Sequence, residues 1–458
     1  MTPAEFRRHG YEVVDWIAHY LEHIRDYPVE TSIRPGELVD ALPASAPEEP
    51  EPVEAILADF RRLIVPANTH WNHPRFHAYF SVSASPEGIL GEMLAAALNT
   101  NGMLWKSCPA NVELEFVVMD WLRQWLRLPA GFFGMIHDTA SLSTLHAIAA
   151  ARAAAQPDQR AAGARPGLIV YCSEHAHSSV EKGALSLGIG QNYVRRIATD
   201  AEFRMDPAAL EAAILADRAA GHHPLCVIST VGTTSVTSID PVRHVQEIAA
   251  AHQLWHHIDA AYGGAAALLE ENQWMLDGAA EADSLVFNPH KWLFTPIDLS
   301  AFFCRRPDVL EQAFALVPSY LQTAADPRAV NYMNYGVALG RRFRALKLWF
   351  VMRGYGRRRI CETIRQHIAW TRELASEIAR DPRFELCAPV TMSLVCFRLK
   401  GPDEPNQALV EKINATGHAF LQGNRLNGRF MLRLAIGHYD VRREDVFSTW
   451  QKIQEFAG

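Results

Sequence analysis

The chain has little of what marks a nucleic-acid binder, a membrane protein or a disulfide scaffold. Its 44 Lys and Arg are outnumbered by 51 Asp and Glu, for a formal net charge of −7 and a pI near 6.3. That balance offers no basic surface for nucleic acid or an anionic membrane. Seven cysteines in 458 residues are too few for a disulfide framework. Cys172, Cys226, Cys304 and Cys396 sit inside apolar runs, as thiols do in a reducing cytoplasm. No apolar run approaches the length of a membrane span. The start, Met1-Thr2-Pro3-Ala4-Glu5, carries no apolar h-region, so no secretory leader and a cytoplasmic location are expected. There is no internal repeat. What is present is a composition 49% hydrophobic, ample for a large buried core.

Breakers and periodicity set the organisation. Thr2-Pro3 opens a helix to about Arg25, with Val13, Ile17, Tyr20, Leu21 and Ile24 in one apolar stripe. Residues 41–52 are rich in Pro, Ala and Glu and read as a linker. A second helix follows, to about Ile64. Beyond Pro86, helices alternate with apolar strands at 168–172, 226–231, 255–258, 285–287 and 301–304. This alternation predicts an α/β unit with a mostly parallel sheet. After Tyr355 the pattern is α+β, with strands at 384–387, 393–399 and 429–435. Three parts are expected: an N-terminal helical segment (1–85), a large α/β domain (86–355) and a small α+β domain (356–458).

Five segments carry chemistry. In Ser284-Leu285-Val286-Phe287-Asn288-Pro289-His290-Lys291-Trp292 a buried strand delivers one amine to the rim of a sheet. Desolvation there disfavours the ammonium, and a neutral amine forms a Schiff base with an aldehyde. On this segment alone, a solvated lysine closing a strand is an equal reading. In Trp255-His256-His257-Ile258-Asp259-Ala260-Ala261-Tyr262-Gly263-Gly264 a strand ends in Asp259, where α/β sheets place ligand-contacting groups. A carboxylate there suits the pyridinium nitrogen of pyridoxal phosphate (PLP). A turn-capping Asp and a His257-x-Asp259 pair of iron ligands are its rivals, but no third ligand stands out. His177, in Ser173-Glu174-His175-Ala176-His177-Ser178-Ser179, follows a strand and can lie flat on an aromatic ring. A zinc reading of His-x-His lacks a matching Cys or His pair. Asp138-Thr139-Ala140-Ser141 opens an Ala-rich helix whose amides suit a phosphate, although Thr and Ser are also ordinary caps. Gly232-Thr233-Thr234 ends a further β-branched strand in hydroxyls.

Together these motifs resemble the group II PLP-dependent decarboxylases, closest to the aromatic-L-amino-acid decarboxylases. The resemblance also covers His73-Pro74, Ala78-Tyr79-Phe80, Glu113-Leu114-Glu115, Met119-Asp120-Trp121-Leu122 and Gly340-Arg341-Arg342-Phe343-Arg344. It implies the PLP-dependent transferase-like fold type I, PLP as cofactor and no metal. It also implies a homodimer with shared active sites, the N-terminal helices packing on the partner. By resemblance Lys291 carries the cofactor, Asp259 pairs with its ring nitrogen and His177 stacks on the ring. Thr139, Ala140, Ser141, Thr234, Asn288 and His290 surround the phosphate or ring. Asp138 stands where relatives have a small residue, and as an acid it must turn outward as a cap. The polar segment 320–335 matches a mobile catalytic loop that closes over the neighbouring subunit's site. Tyr332 is assigned there as the acid that protonates the substrate carbon, with Tyr335 as its nearest competitor.

The implied reaction converts aromatic L-amino acids to arylalkylamines and carbon dioxide. Trp71, Tyr79 and Phe80 match aromatic pocket positions, and ordinary core packing is their alternative reading. Asn101, Met103 and Ile297 match pocket positions that are larger or more apolar in relatives, and Gly340 resembles the glycine of relatives that admit indole rings. A glutamate decarboxylase needs a cationic clamp, and no Arg or Lys stands among the matched positions. An aldehyde-forming PLP enzyme and a catalytically silent homologue are the other classes; Tyr332 argues against the first, Lys291 and Asp259 against the second.

Overall fold

The structure is a computed structural model that describes residues 1–316 and 329–458. It divides into two compact units. One comprises Met1–Ser81, Leu374–Cys387 and Cys396–Gly458; the other comprises Val82–Glu373 and Ala388–Val395. The N-terminal segment therefore groups with C-terminal residues in one unit, whereas three successive parts were expected.

In the first unit the helix Pro3–Glu22 begins as expected, with Thr2 and Glu5 forming a capping box. Its expected end is replaced by a 3-10 turn at Ile24–Asp26. Arg25 there bonds Asp440 and Asp445 at 2.8 Å each.

The larger unit is built on a seven-stranded sheet: β1 (Phe133–His137), β2 (Leu168–Ser173), β3 (Val194–Ile197), β4 (His223–Thr230), β5 (Trp255–Asp259), β6 (Ser284–Phe287) and β7 (Ser300–Cys304). Their spatial order is β1-β7-β6-β5-β4-β2-β3. The pairs from β6 through β5, β4 and β2 to β3 are parallel. β7 runs antiparallel to both β6 and β1, so β1 ends at the same edge as β4, β5 and β6. The interior strands β5, β6 and β7 are buried along their whole length, as sheets covered on both faces require. Helix Ala140–Ala155 packs its Ala-rich body into the core with β2 and β4 residues. A smaller sheet has the order β10-β11-β9-β8, with β8 Phe384–Leu386, β9 Leu394–Leu399, β10 Gln422–Leu426 and β11 Arg429–Ala435. The fold is α/β, of PLP-transferase fold type I.

One glycine shapes the functional edge. A Cβ on Gly263 would lie 2.4 Å from the Val231 carbonyl oxygen. Only glycine lets the turn after β5 approach the end of β4 this closely.

Candidate active site

Asp259 ends β5 in register with Thr230 of β4 and Val286 of β6. The Ala261 amide donates to its Oδ1 at 3.1 Å, and the side chain is buried. From the end of β6 the Asn288 amide donates to the Ala261 carbonyl at 3.1 Å. Pro289 then starts the one-turn helix Pro289–Trp292. Trp292 is fully buried and lies flat on Tyr262, centroids 4.9 Å apart and planes 7° apart. Its indole N–H donates to His367 Nδ1 at 3.0 Å. This stack fixes the turn that carries Lys291. Burial pulls the Lys291 amine below the usual lysine range, and the Asp259 charge works against that shift.

His177 lies in the turn between β2 and helix Ser179–Ser186. The Ser179 amide donates to its Nδ1 at 3.1 Å, which leaves the ring proton of the neutral form on Nε2. Burial lowers its pKa, Asp259 raises it, and Lys291 and Lys182 lower it again. Lys291, Asp259 and His177 thus share one electrostatic neighbourhood at the C-terminal edge of the sheet, the edge where open α/β sheets bind ligands.

The other cofactor positions border that edge. Thr139 caps helix Ala140–Ala155, its hydroxyl accepting from the Leu142 amide at 3.4 Å. Asp138 turns onto the same cap: its Oδ1 accepts from the Thr139 amide at 2.6 Å and from the Thr139 hydroxyl at 3.2 Å. The Ser143 amide is bonded to the Thr139 carbonyl. The donors left to the helix start are the amides of Ala140 and Ser141. Asn288 is buried and accepts from Ser300 Oγ at 2.6 Å. His290 Nδ1 accepts from the Leu299 amide at 2.9 Å, and burial holds its pKa down at about 3. Thr234 is partly exposed beyond β4.

These residues fit PLP. The set offers an amine for an aldehyde, a carboxylate for a ring nitrogen and helix amides for a phosphate. Two buried polar atoms, Thr230 Oγ1 and His257 Nε2, have no partner. Thr230 is in register with Asp259, and His257 shares its face of β5, so both orphaned atoms flank the place where a polar ring over Asp259 would sit. No group of three or more His, Cys, Asp or Glu side chains that could hold a metal ion occurs among the described residues.

Of the substrate positions, four lie in the larger unit: Asn101, Met103, Ile297 and Gly340. Asn101 Oδ1 accepts from the Arg341 amide, next to Gly340, at 2.9 Å, and its Nδ2 reaches Met103 Sδ at 3.5 Å. Ile297 is 61% exposed. Trp71, Tyr79 and Phe80 belong to the other unit, where Trp71 stacks on Tyr79 at 5.4 Å and Arg433 covers the Phe80 ring at 5.4 Å.

Tyr332, the residue expected to protonate the substrate carbon, follows closely after residues that lie outside the described ones. It is buried against the core around β1, and its hydroxyl has no hydrogen-bond partner among the described residues. Burial raises its pKa well above the usual phenol range, so the phenol keeps its proton. Tyr335 packs on Phe133 at 4.4 Å, and its pKa is raised to about 12 by burial and then by Glu311, to which its side chain bonds. Residues 317–328 of the expected catalytic loop lie outside the described residues. Sequence reasoning also missed the buried pair of Arg341 and Glu115, which ties β1 to the segment after Gly340: Arg341 bonds the Ile136 carbonyl at 3.1 Å and Glu115 accepts the Ile136 amide at 2.8 Å. Glu115 and Arg341 lie far apart in the chain, and no local signal pairs them.

Comparison with known proteins agrees with this geometry. The family model described as "Pyridoxal-dependent decarboxylase conserved domain" matches residues 35–400. The aromatic-L-amino-acid decarboxylase of Cavia porcellus is 41% identical, over 100% of this chain and 98% of its own. The crystal structure of Oryza sativa TDC with PLP and tryptamine superposes with a TM-score of 0.96 at 35% identity, covering 100% of this chain and 98% of that one. The Rhodiola rosea 4-hydroxyphenylacetaldehyde synthase gives 0.93 at 36%, with the same coverage. With Lys291 and Asp259 at the sheet edge and likeness along its full length, the chain belongs to the pyridoxal-dependent decarboxylase family and is a PLP-dependent carboxy-lyase.

Proposed function

We propose that the protein decarboxylates aromatic L-amino acids to the corresponding arylalkylamines, with Lys291, Asp259, His177 and Tyr332 as its catalytic residues, Tyr332 as the acid for the substrate carbon. The carrying observation is the shared neighbourhood of that amine, carboxylate and imidazole in a chain 41% identical to an aromatic-L-amino-acid decarboxylase. Bound PLP supplies the sink for the electron pair left behind by carbon dioxide. Lys291 Nζ, whose charged form burial disfavours, is the amine that would take the cofactor's aldehyde. Asp259 holds a proton on the ring nitrogen. The amides of Ala140 and Ser141, with Thr139, Thr234, Asn288 and His290, hold the phosphate end. His177, its proton on Nε2, covers the ring and orients the substrate carboxylate. Trp71, Tyr79, Phe80, Asn101, Met103, Ile297 and Gly340 are the proposed substrate contacts.

The proposed assembly is a homodimer with shared sites. Leu90, Met93, Leu94 and Leu98 recur at helical spacing on helix Pro86–Leu98 and are 40–58% exposed. Such a row on one helix face suits an isologous interface. A cytoplasmic location accords with seven free cysteines. No described helix is long and apolar enough to cross a membrane.

A second reading has its own support. An aldehyde synthase superposes at a TM-score of 0.93 and 36% identity. Product analysis decides between them. Purified holoenzyme is given tryptophan, DOPA, tyrosine, phenylalanine and glutamate, in air and without oxygen. Amine and carbon dioxide in equal amounts from the aromatic substrates support the first reading; aldehyde with ammonia and peroxide in air supports the second. Turnover of glutamate alone overturns both.

A further inference from the structure

His137 is a buried histidine at the end of β1 that the proposed chemistry does not use. Its register partner across the antiparallel pair is Ser300, the first residue of β7. Ser143 lies on the first turn of helix Ala140–Ala155. The three side chains, with Asn288, form a continuous buried line. His137 Nδ1 lies 2.9 Å from Ser143 Oγ, Ser143 Oγ lies 3.4 Å from Ser300 Oγ, and Ser300 Oγ lies 2.6 Å from Asn288 Oδ1. None of the four is more than 3% exposed.

Proton counting gives the line a direction. A serine hydroxyl has one proton to donate. Ser300 donates its proton to Asn288 Oδ1 and is left to accept from Ser143. Ser143 can give its own proton to His137 Nδ1 at 2.9 Å, or to Ser300 Oγ or the Thr139 carbonyl at 3.4 Å each. The far side of the ring decides. His137 Nε2 is buried with no partner among the described residues, and a buried lone pair left bare costs less than a buried N–H left bare. His137 therefore carries its proton on Nδ1, and Ser143 accepts it.

We infer that His137 is a positioning residue, acting through Ser143 and Ser300 to lock the Asn288 amide with Oδ1 turned inward and Nδ2 turned toward the cofactor phosphate. An unlocked Asn amide can flip and present its oxygen to the phosphate, where acceptor meets acceptor. The line also joins the two phosphate-binding segments, since the Ser143 amide bonds Thr139 and Asn288 begins the turn that carries Lys291. This inference rests on Asn288 being a cofactor contact.

The test has two readouts on the full-length chain. The first is the 15N ring spectrum of the PLP-free protein, with the His137 signals assigned by their loss in His137→Asn. A protonated Nδ1 and an unprotonated Nε2 are expected, and the opposite tautomer overturns the inference whatever PLP does. The second is PLP affinity. His137→Leu and Ser300→Ala should each weaken PLP about tenfold, as loss of one positioned hydrogen bond does. His137→Asn should stay within about threefold, because its Nδ2 takes the place of the imidazole Nδ1 and still donates to Ser143. Equal losses in the Leu and Asn variants overturn the inference, since a packing role would not tell them apart. Asn288→Ala separates the two levels. If it leaves PLP affinity unchanged, Asn288 is not a cofactor contact and the premise fails. If it weakens PLP while His137→Leu does not, the premise stands and the relay is wrong.

Discussion

The guanidinium carbon of Arg341 lies 4.7 Å from the centre of the Tyr332 ring, and Phe133 lies against the same ring at 5.9 Å. A cation over an aromatic face is a packing interaction. It holds the ring of the proposed proton donor in place. Tyr332→Phe keeps that packing and removes the proton, so amine should fall and aldehyde, ammonia and peroxide should rise in air. It removes a buried hydroxyl with no partner among the described residues, so stability should hold or rise by about 1 kcal/mol. Denaturant unfolding and product partition check the two halves. Amine at the parent rate with no aldehyde would refute Tyr332 as the proton donor.

Three phenols occur in the segment 320–335: Tyr320, Tyr332 and Tyr335. Tyr335, packed on Phe133 and bonded to Glu311, is the nearest competitor of Tyr332. Tyr335→Phe should leave the amine-to-aldehyde ratio in air unchanged. If it instead raises aldehyde while Tyr332→Phe does not, the proton comes from Tyr335; if neither variant does, His177→Gln is the next to assay.

Lys291→Ala should abolish turnover. It should also abolish the adduct that borohydride fixes between the chain and PLP, since Lys291 is the amine that carries the Asp259 charge interaction. Peptide mapping after reduction gives the answer, and a single labelled lysine elsewhere in the variant would refute the assignment.

Leu94 is 49% exposed on the apolar row of helix Pro86–Leu98. Leu94→Asp puts a charge into the proposed interface, where desolvation without a partner costs several kcal/mol. Sedimentation should show a dimer for the parent and a concentration-dependent shift to monomer for the variant. A parent that sediments as an active monomer overturns the assembly.

Acid should unfold the protein by protonating its buried histidines. Burial lowers the pKa of His146 and His257 to about 4, and that of His256, His290 and His367 to about 3. Their folded pKa values lie below the ordinary 6.5, so the unfolded chain binds these protons first. The stability tied to neutrality is intact above pH 6.5 and is lost as pH falls from there toward 4. Each such histidine contributes a slope of up to about 1.4 kcal/mol per pH unit in that window. Denaturant titrations at pH 7, 6, 5 and 4 should show several protons taken up per unfolding event. A flat stability between pH 6.5 and 5 would show that the histidines are protonated in the fold.

The sequence by itself determined which residues end the buried strands at the sheet edge. Lys291 and Asp259 were legible because each ends a buried apolar strand, and the strand-to-turn signal is contained in a few neighbouring residues. Thr139 as a helix cap, and Asp138 turned onto that cap, were legible for the same reason, since capping is local. The three strands that were missed, β1, β3 and β10, are all edge strands, β1 and β3 of the larger sheet and β10 of the smaller one. An edge strand is less apolar, and the Arg195 and Arg196 of β3 hide its pattern. Only the tertiary structure decided which tyrosine is core, because burial depends on what other segments bring up against a side chain. The same holds for the joining of His137, Ser143, Ser300 and Asn288 into one line. A hydrogen bond needs its partners within about 3 Å, and nothing in sequence spacing measures that distance between residues of different strands and helices.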